Sequence, residues 1–332
     1  MIQKNLSIHI LWQFLDGPWG GGNQFLKALR DRFVKLGICA EEPEVADIIL
    51  FNSHQFQKEL LKLKFKYPKK VFVHRVDGPL FLTRGEQGKK TDEKIFYFND
   101  LVADGTVFQS MWSMNESFRR GLAKNMFETC IVNAPDPEIF FSRAIDDAKQ
   151  REKIRLISTT WSSNPRKGFD IYHYLDKYLD FEKYSMTFVG NSDTIFDNIT
   201  MLPPQPSRKL AAILREHDIF IAASTMEPCS NSFLEALHCG LPVLARNDSS
   251  YPELISDNGL LFDGKNDVLD QLKRISECLA EHRKRINVVP MSEVAERYVD
   301  FFWHIFQSIR TKEYVSKKIS FIKYLYSKFV ML

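Results

Sequence analysis

The sequence lacks the features that identify several classes of protein. Its five cysteines are scattered and never form a C-x-x-C pair, which argues against a disulfide framework and a zinc site. This pattern favours a reducing, cytoplasmic compartment. No apolar run approaches the roughly 20 residues that cross a bilayer. Residues 1–24 predict a first strand and a glycine-rich turn, and not a signal peptide.

Several catalytic signatures are also missing. The chain contains no Asp-x-Asp, H-E-x-x-H or G-x-S-x-G, so we expect no bound metal and no esterase-type nucleophile. The net charge is only +3, and the basic excess lies in residues 310–332, which hold six Lys or Arg and one Glu. Because the rest of the chain is near neutral, it lacks the basic stripe of a nucleic-acid-binding protein, and we expect no nucleic-acid partner.

Short apolar runs alternate with helical patterns along the chain. They predict nine strands, at residues 7–14, 46–52, 70–76, 105–109, 129–134, 153–160, 185–190, 218–224 and 242–246. Such strands, separated by helices, indicate parallel sheets covered on both faces. The length of 332 residues favours two domains, and the pattern restarts near residue 151 after a polar linker.

We therefore predict an α/β fold with two tandem doubly wound, Rossmann-like domains that face each other across a cleft. The predicted boundaries are 1–150 for an N-terminal domain, 151–290 for a C-terminal domain, and 291–332 for C-terminal helices. Ligands of open parallel sheets bind beyond the carboxyl ends of the strands. Candidate site residues therefore lie in or next to the loops that follow the predicted strands.

The stretch "TMEPCSNSFLEALHCGLPVLA" places one glutamate before a predicted helix and one inside it. In one interpretation, Ser232 and Glu235 form a capping box, and Glu227 complements the helix dipole. In the other, the helix N-terminus at Ser230, Asn231 and Ser232 offers free amides to a phosphate. Carboxylates accept hydrogen bonds from hydroxyls, so the two glutamates would hold two sugars on either side of a diphosphate.

The loop "TTWSSNPRKG" places two cations immediately before a helix that begins at about Gly168. Arg166 and Lys167 there oppose the helix dipole, which favours negative charge at its N-terminus. A bound phosphate would resolve the conflict. The alternative is a solvated charge pair on a surface loop, and the local pattern does not decide between them.

Two loops in the first half of the chain are further candidates. The segment "DGPWGGGNQF" allows close backbone approach to a ligand, although it lacks the dinucleotide and P-loop spacings and a flexible turn is equally consistent with it. Its candidate residues are Gly20, Gly21, Gly22 and Asn23. The strand end "VHRVDGP" supplies His74, Arg75 and Asp77, for which local hydrogen bonding is the alternative.

Taken together, these motifs resemble the family 4 glycosyltransferases, also called glycosyl transferases group 1, which have the GT-B fold. The resemblance is specific over about residues 157–262. It rests on the two glutamates, Glu227 and Glu235, which are separated by seven residues, on the Lys167-Gly168 pair, and on three further segments. These segments are Gly240 to Val243, Pro252-Glu253 and Gly259 to Phe262, and the glycines at 20 to 22 match the family's N-terminal loop.

The resemblance implies a retaining, metal-independent transfer from a nucleoside-diphosphate sugar, with no other cofactor. Glu235 would bind the ribose hydroxyls and Glu227 the donor sugar, while Lys167 and the amides of Ser230, Asn231 and Ser232 would bind the diphosphate. His74 would meet the sugar near the reacting carbon. Gly190, at a predicted strand end, completes the donor set.

One position departs from the family pattern. The family usually has an arginine five residues before the loop lysine, and this chain has Ser162 there. Either Arg166 substitutes for it, or Ser162 and Asn164 contact the phosphate.

We expect a saccharide or lipid-linked acceptor in surface polysaccharide or glycan synthesis. The alternatives are a nucleotide-sugar epimerase or hydrolase of the same fold, and a non-catalytic scaffold that binds nucleotide sugars or glycans. The tail, residues 312–332, has an apolar stripe among lysines. It predicts either a helix docked on the protein's own body or a peripheral contact with the inner face of the cell membrane.

Overall fold

The computed structural model describes residues 6–17, 20–142 and 152–332. The predicted linker and the boundary between residues 150 and 151 fall largely outside the described residues. Contacts divide the chain into two compact units. The first comprises Met1–Phe14, Leu26–Val132 and Met291–Leu332, and the second comprises Leu15–Phe25 and Asn133–Pro290.

The first unit is built on a parallel five-stranded sheet in the order β1-β2-β3-β4-β5. Its strands are β1 (Ile8–Leu11), β2 (Ile48–Asn52), β3 (Val71–Val76), β4 (Gly105–Phe108) and β5 (Phe127–Cys130). The helices between them are α1 (Gly21–Lys35), α2 (Gln57–Lys66), α3 (Phe81–Val102) and α4 (Met111–Arg119), and the first residues of α1, up to Phe25, belong to the second unit. Every residue of β2 and β3 is buried, so both faces of the sheet are covered.

The C-terminal part of the chain completes the first unit. Helix α11 (Met291–Arg310) buries Phe302 and Ile305, and Gly105 of β4 leaves room for Ile305, which a Cβ would crowd. The tail continues as α12 (Phe321–Tyr326) and a π turn at Ser327–Met331. Ile319 joins the core cluster that also contains Phe72 and Phe98.

The second unit contains a parallel six-stranded sheet in the order β11-β10-β9-β6-β7-β8. Its strands are β6 (Ile154–Thr160), β7 (Tyr184–Gly190), β8 (Thr200–Leu202), β9 (Ile219–Ala222), β10 (Val243–Arg246) and β11 (Gly259–Phe262). Its helices are α5 (Phe169–Tyr178), α6 (Ser207–Leu214), α7 (Asn231–His238), α8 (Tyr251–Ile255), α9 (Val268–Glu277) and α10 (Leu279–Arg285), with a 3-10 turn at Pro165–Lys167.

The strand order reverses at the centre of the second sheet. From β6, the chain adds β7 and β8 on one side, and then β9, β10 and β11 on the other. A reversal of this kind leaves a crevice at the carboxyl ends of the two central strands. The described strands of the first sheet follow chain order, so the crevice expected of a doubly wound sheet lies in the second unit.

Within the described residues, no helix combines the length and the apolarity that crossing a membrane requires.

Candidate functional site

A cavity of about 310 Å³ opens in the second unit at the carboxyl edge of its sheet. Thr160 of β6 and Gly190 of β7 line it, together with Ser224, which follows β9. These strands flank the point where the strand order reverses. The cavity therefore occupies the crevice in which open α/β sheets bind ligands.

Lys167 and Glu227 meet at this cavity. The Lys167 Nζ lies 2.6 Å from Glu227 Oε2, and both residues line the cavity. The two loops are also joined through their backbones, since the Thr225 N–H donates to the Arg166 carbonyl at 2.7 Å. The lysine thus has a carboxylate partner within the protein, which offsets its share of the charge conflict predicted before α5.

The loop that carries Glu227 is held by the loop after β10. The Met226 N–H donates to Asp248 Oδ1 at 2.7 Å, and the Glu227 N–H donates to Ser249 Oγ at 2.9 Å. The Ser250 hydroxyl donates to the Glu227 carbonyl at 2.8 Å. Three hydrogen bonds in succession fix the backbone, so the carboxylate of Glu227 is positioned before any ligand binds.

Helix α7 begins one residue after its capping residue, Ser230. The Ser230 Oγ accepts from the Phe233 N–H at 3.3 Å, so the third helical position holds Phe233 and not Glu235. The predicted capping box of Ser232 and Glu235 is therefore wrong. Ser230 in turn bonds to the buried hydroxyl of Tyr251, whose pKa is raised by burial.

Glu235 lines the cavity from the second turn of α7. Burial raises the pKa of its carboxyl to about 8. Among the described residues, none donates a hydrogen bond to this carboxyl group. A half-buried carboxyl group that faces a cavity with no protein donor is suited to accept hydrogen bonds from ligand hydroxyls.

The glycine-rich loop meets α7 through Asn231. Gly20 and Gly21 line the cavity, and a Cβ at Gly21 would overlap the Asn231 amide. Asn133, for which the sequence indicated no site role, donates to Asn231 Oδ1 at 3.0 Å. Gly22 has open space around it.

Several predicted residues support the loops without lining the cavity. Asn23 closes its own loop, because its amide bonds to both the N–H and the carbonyl of Leu15. Asn164 caps the 3-10 turn by accepting from the Arg166 N–H at 2.9 Å. Arg166 is exposed and is not among the residues that line the cavity, whereas Ser162 is. The cation among the described lining residues is Lys167.

His74, Arg75 and Asp77 lie in the first unit. His74 is fully buried and stacks on Phe51, and its ring nitrogens lie within hydrogen-bond distance of the Ser53 carbonyl and the Asn99 amide. Burial lowers its pKa to about 3. In this conformation the imidazole has no exposed surface that a sugar could contact. Its catalytic role stays a prediction.

Arg75 is buried and forms an ion pair with Asp77 at 2.9 Å. The guanidinium also donates to Asn52 Oδ1 at 2.6 Å. These contacts agree with the local hydrogen bonding considered as the alternative for this strand end.

Sequence reasoning missed part of the cavity wall. Pro204 and Gln205 line it, but they follow β8, a three-residue strand that was not predicted. Trp161 also lines it and is 46% exposed. Its position directly after β6 is the sequence feature that could have identified it as a site residue. Among the described residues, no group of three or more His, Cys, Asp or Glu is placed to hold a metal ion.

Comparisons with known proteins agree with this fold. Residues 191–289 match the family model of glycosyl transferases group 1. Anabaena HepE in complex with UDP superposes with a TM-score of 0.62 at 15% identity, covering 93% of this chain and 99% of that one. The chain has the GT-B fold of glycosyltransferases. Within it, the resemblance to group 1 is confirmed over the matched residues.

Two curated relatives show partial similarity. An uncharacterised protein of the cps region of Klebsiella pneumoniae is 24% identical over 200 residues, which are 55% of this chain and 56% of that protein. A D-inositol 3-phosphate glycosyltransferase of Mycolicibacterium smegmatis is 36% identical over 87 residues, 26% of this chain and 20% of that protein. The alignments thus span between a fifth and about half of these relatives.

Proposed function

We propose that the protein transfers a sugar from a nucleoside-diphosphate sugar to a saccharide or lipid-linked acceptor. The observation that carries the proposal is the carboxyl group of Glu235, which faces the cavity without a described donor. The paired Lys167 and Glu227 line the same cavity. A ribose bound through its hydroxyls would supply the donors that Glu235 lacks, and UDP is the ligand named for the HepE structure.

The charges of the cavity suit a diphosphate between two sugars. Lys167 and the N-terminal amides of α7 would face the diphosphate, since both favour an anion. Stabilising the leaving diphosphate is an electrostatic contribution to catalysis. Glu227 would then exchange its bond with Lys167 for bonds to the hydroxyls of the donor sugar.

We further propose that the transfer retains the anomeric configuration, as the resemblance to group 1 implies. We also propose that it needs no metal ion, because Lys167 and α7 supply positive charge at the diphosphate. NMR of the product would establish the anomer, and activity unchanged by EDTA is the expected result. The cps-region relative supports polysaccharide synthesis as the setting. A lipid-linked acceptor would place the enzyme at a membrane, and a peripheral contact through residues 312–332 would suit such an acceptor.

The first experiment is thermal stabilisation by UDP, GDP, ADP, CMP and dTDP. A ligand at about 100 times its Kd stabilises the folded state by about 2.7 kcal/mol. We expect one nucleotide to raise the Tm of the wild type and to raise that of Glu235→Gln less. Glu277→Gln, an exposed glutamate on α9, is the matched control and should respond like the wild type.

The same assay separates the rival functions. If no nucleotide shifts the Tm, the donor site proposed here is wrong. Binding without turnover would favour the scaffold, and free sugar released without an acceptor would favour a hydrolase or epimerase.

A further inference from the structure

The tail presents a cluster of exposed apolar side chains, which we call the outer tail face. It consists of Phe321, Ile322, Tyr326, Phe329 and Val330. Their exposed fractions are 63%, 80%, 50%, 75% and 61%. Large apolar side chains clustered in this way on a surface mark an interaction site.

The opposite side of the tail is attached to the first unit. The Tyr97 hydroxyl lies 2.8 Å from Ser327 Oγ, and the rings of Phe65 and Tyr324 are 4.5 Å apart. Met331 and Leu332 pack against the core cluster of this unit. Docking on the protein's own body therefore accounts for one side of the tail and leaves the outer tail face uncovered by the described residues.

Exposed lysines lie on the tail and on the adjoining helix α2. Lys318, Lys323 and Lys328 of the tail are exposed. Helix α2 packs beside the π turn and adds exposed Lys58 and Lys62. Phe65 of α2 is 40% exposed and lies 6.3 Å from the Phe321 ring, which extends the apolar surface onto that helix.

We propose that the outer tail face binds the surface of a bilayer that contains anionic lipids. The apolar side chains enter the boundary between headgroups and acyl chains, and the lysines contact the lipid headgroups. A second copy of the chain is the less suitable occupant, because a symmetric contact would bring the two sets of lysines together. The proposal rests on the tail alone and does not depend on the donor site.

Vesicle co-sedimentation of the full chain tests the proposal. We expect the wild type to pellet with vesicles of phosphatidylcholine and phosphatidylglycerol in equal parts, and at least about tenfold less with phosphatidylcholine alone. Ile322→Ser/Phe329→Ser and Lys323→Glu/Lys328→Glu should each reduce pelleting by about tenfold or more. All four side chains are exposed, so the Tm should stay unchanged.

Two matched variants control for general surface changes. Val45→Ser/Ile195→Ser removes apolar side chains that are 69% and 86% exposed elsewhere. Lys265→Glu/Lys284→Glu reverses two exposed charges in the second unit. Both should pellet like the wild type.

Three results would overturn the proposal. The first is a wild type that does not pellet, and the second is a wild type that pellets no more than the two tail variants. The third is a wild-type dimer, measured by light scattering without vesicles, that Ile322→Ser/Phe329→Ser converts to a monomer, because the face would then bind a second copy.

Discussion

Lys167 is the residue on which the proposed electrostatics depend most. Its Nζ is 2.6 Å from Glu227, so the charge is held beside the position proposed for the diphosphate. We expect Lys167→Ala to lower kcat by at least about 10²-fold, as the loss of one preorganised charge-stabilising donor does elsewhere. Lys167→Arg, which keeps the charge, should retain more activity. Turnover like that of the wild type in Lys167→Ala would contradict the role.

Glu235 predicts a pH dependence of stability. Its pKa rises from 4.5 to about 8 on folding. Between these values the unfolded chain has released the proton and the folded chain retains it, so stability falls as pH rises through this window. Below about pH 4.5 Glu235 does not lower the stability of the folded state, and above about pH 8 its destabilising effect is fully present.

Replacing Glu235 with glutamine removes this penalty. We expect the stability of Glu235→Gln relative to the wild type to increase with pH between 5 and 8, by up to about 1.4 kcal/mol per pH unit. Urea unfolding at several pH values measures it. Glu277→Gln should show no such trend, and a constant difference for Glu235→Gln would mean that the carboxyl ionises normally in the folded state.

Among the elements, the contact between β6 and β7 shapes the cavity. Gly190 ends β7 at φ 143°, and a Cβ there would overlap the Thr160 carbonyl oxygen. We expect Gly190→Ala to destabilise the protein by at least about 2 kcal/mol and to weaken nucleotide binding. Gly264→Ala is the control, because nothing lies within 4 Å of its added Cβ. Calorimetry and nucleotide titration measure both effects, and equal behaviour of the two variants would contradict the prediction.

The strands show how much of the fold can be predicted from the sequence. All nine predicted strands exist, and the apolar runs at 46–52 and 70–76 form strands in which every residue is buried. The predicted strand at 129–134 forms instead at Phe127–Cys130. The sequence does not predict β8, which has only three residues, and it presents β11 only as the motif from Gly259 to Phe262.

The candidate site was predictable to the extent that its residues follow predicted strands. The sequence places Lys167 and Glu227 in loops after predicted strands and Glu235 inside the helix that follows, and all three line one cavity. The contact between Asn133 and Asn231 was not predictable, because it joins residues 98 positions apart. The same holds for Tyr251, whose contact with the cap of α7 depends on the packing of α8.

At the scale of the whole molecule, the buried carboxylate of Asp104 ties separate parts of the first unit together. It accepts from the Phe72 N–H of β3 at 2.9 Å and from Lys64 Nζ of α2 at 3.1 Å. The tail contributes the Ser316 hydroxyl at 3.1 Å and the Lys317 N–H at 2.8 Å. The Lys64 and Asp104 side chains are both 0% exposed, and burial lowers the pKa of Lys64.

Removing one member of this pair should therefore loosen the first unit selectively. We expect Lys64→Met to cost about 3 kcal/mol, because it leaves a buried carboxylate without its cation. Hydrogen exchange should quicken in peptides of β3, α2 and the tail, and much less in those of β6 and β9. Lys62→Met, an exposed position on the same helix, should exchange like the wild type. Equal acceleration of hydrogen exchange in both units would contradict the prediction. It would show that the two units unfold together and not independently.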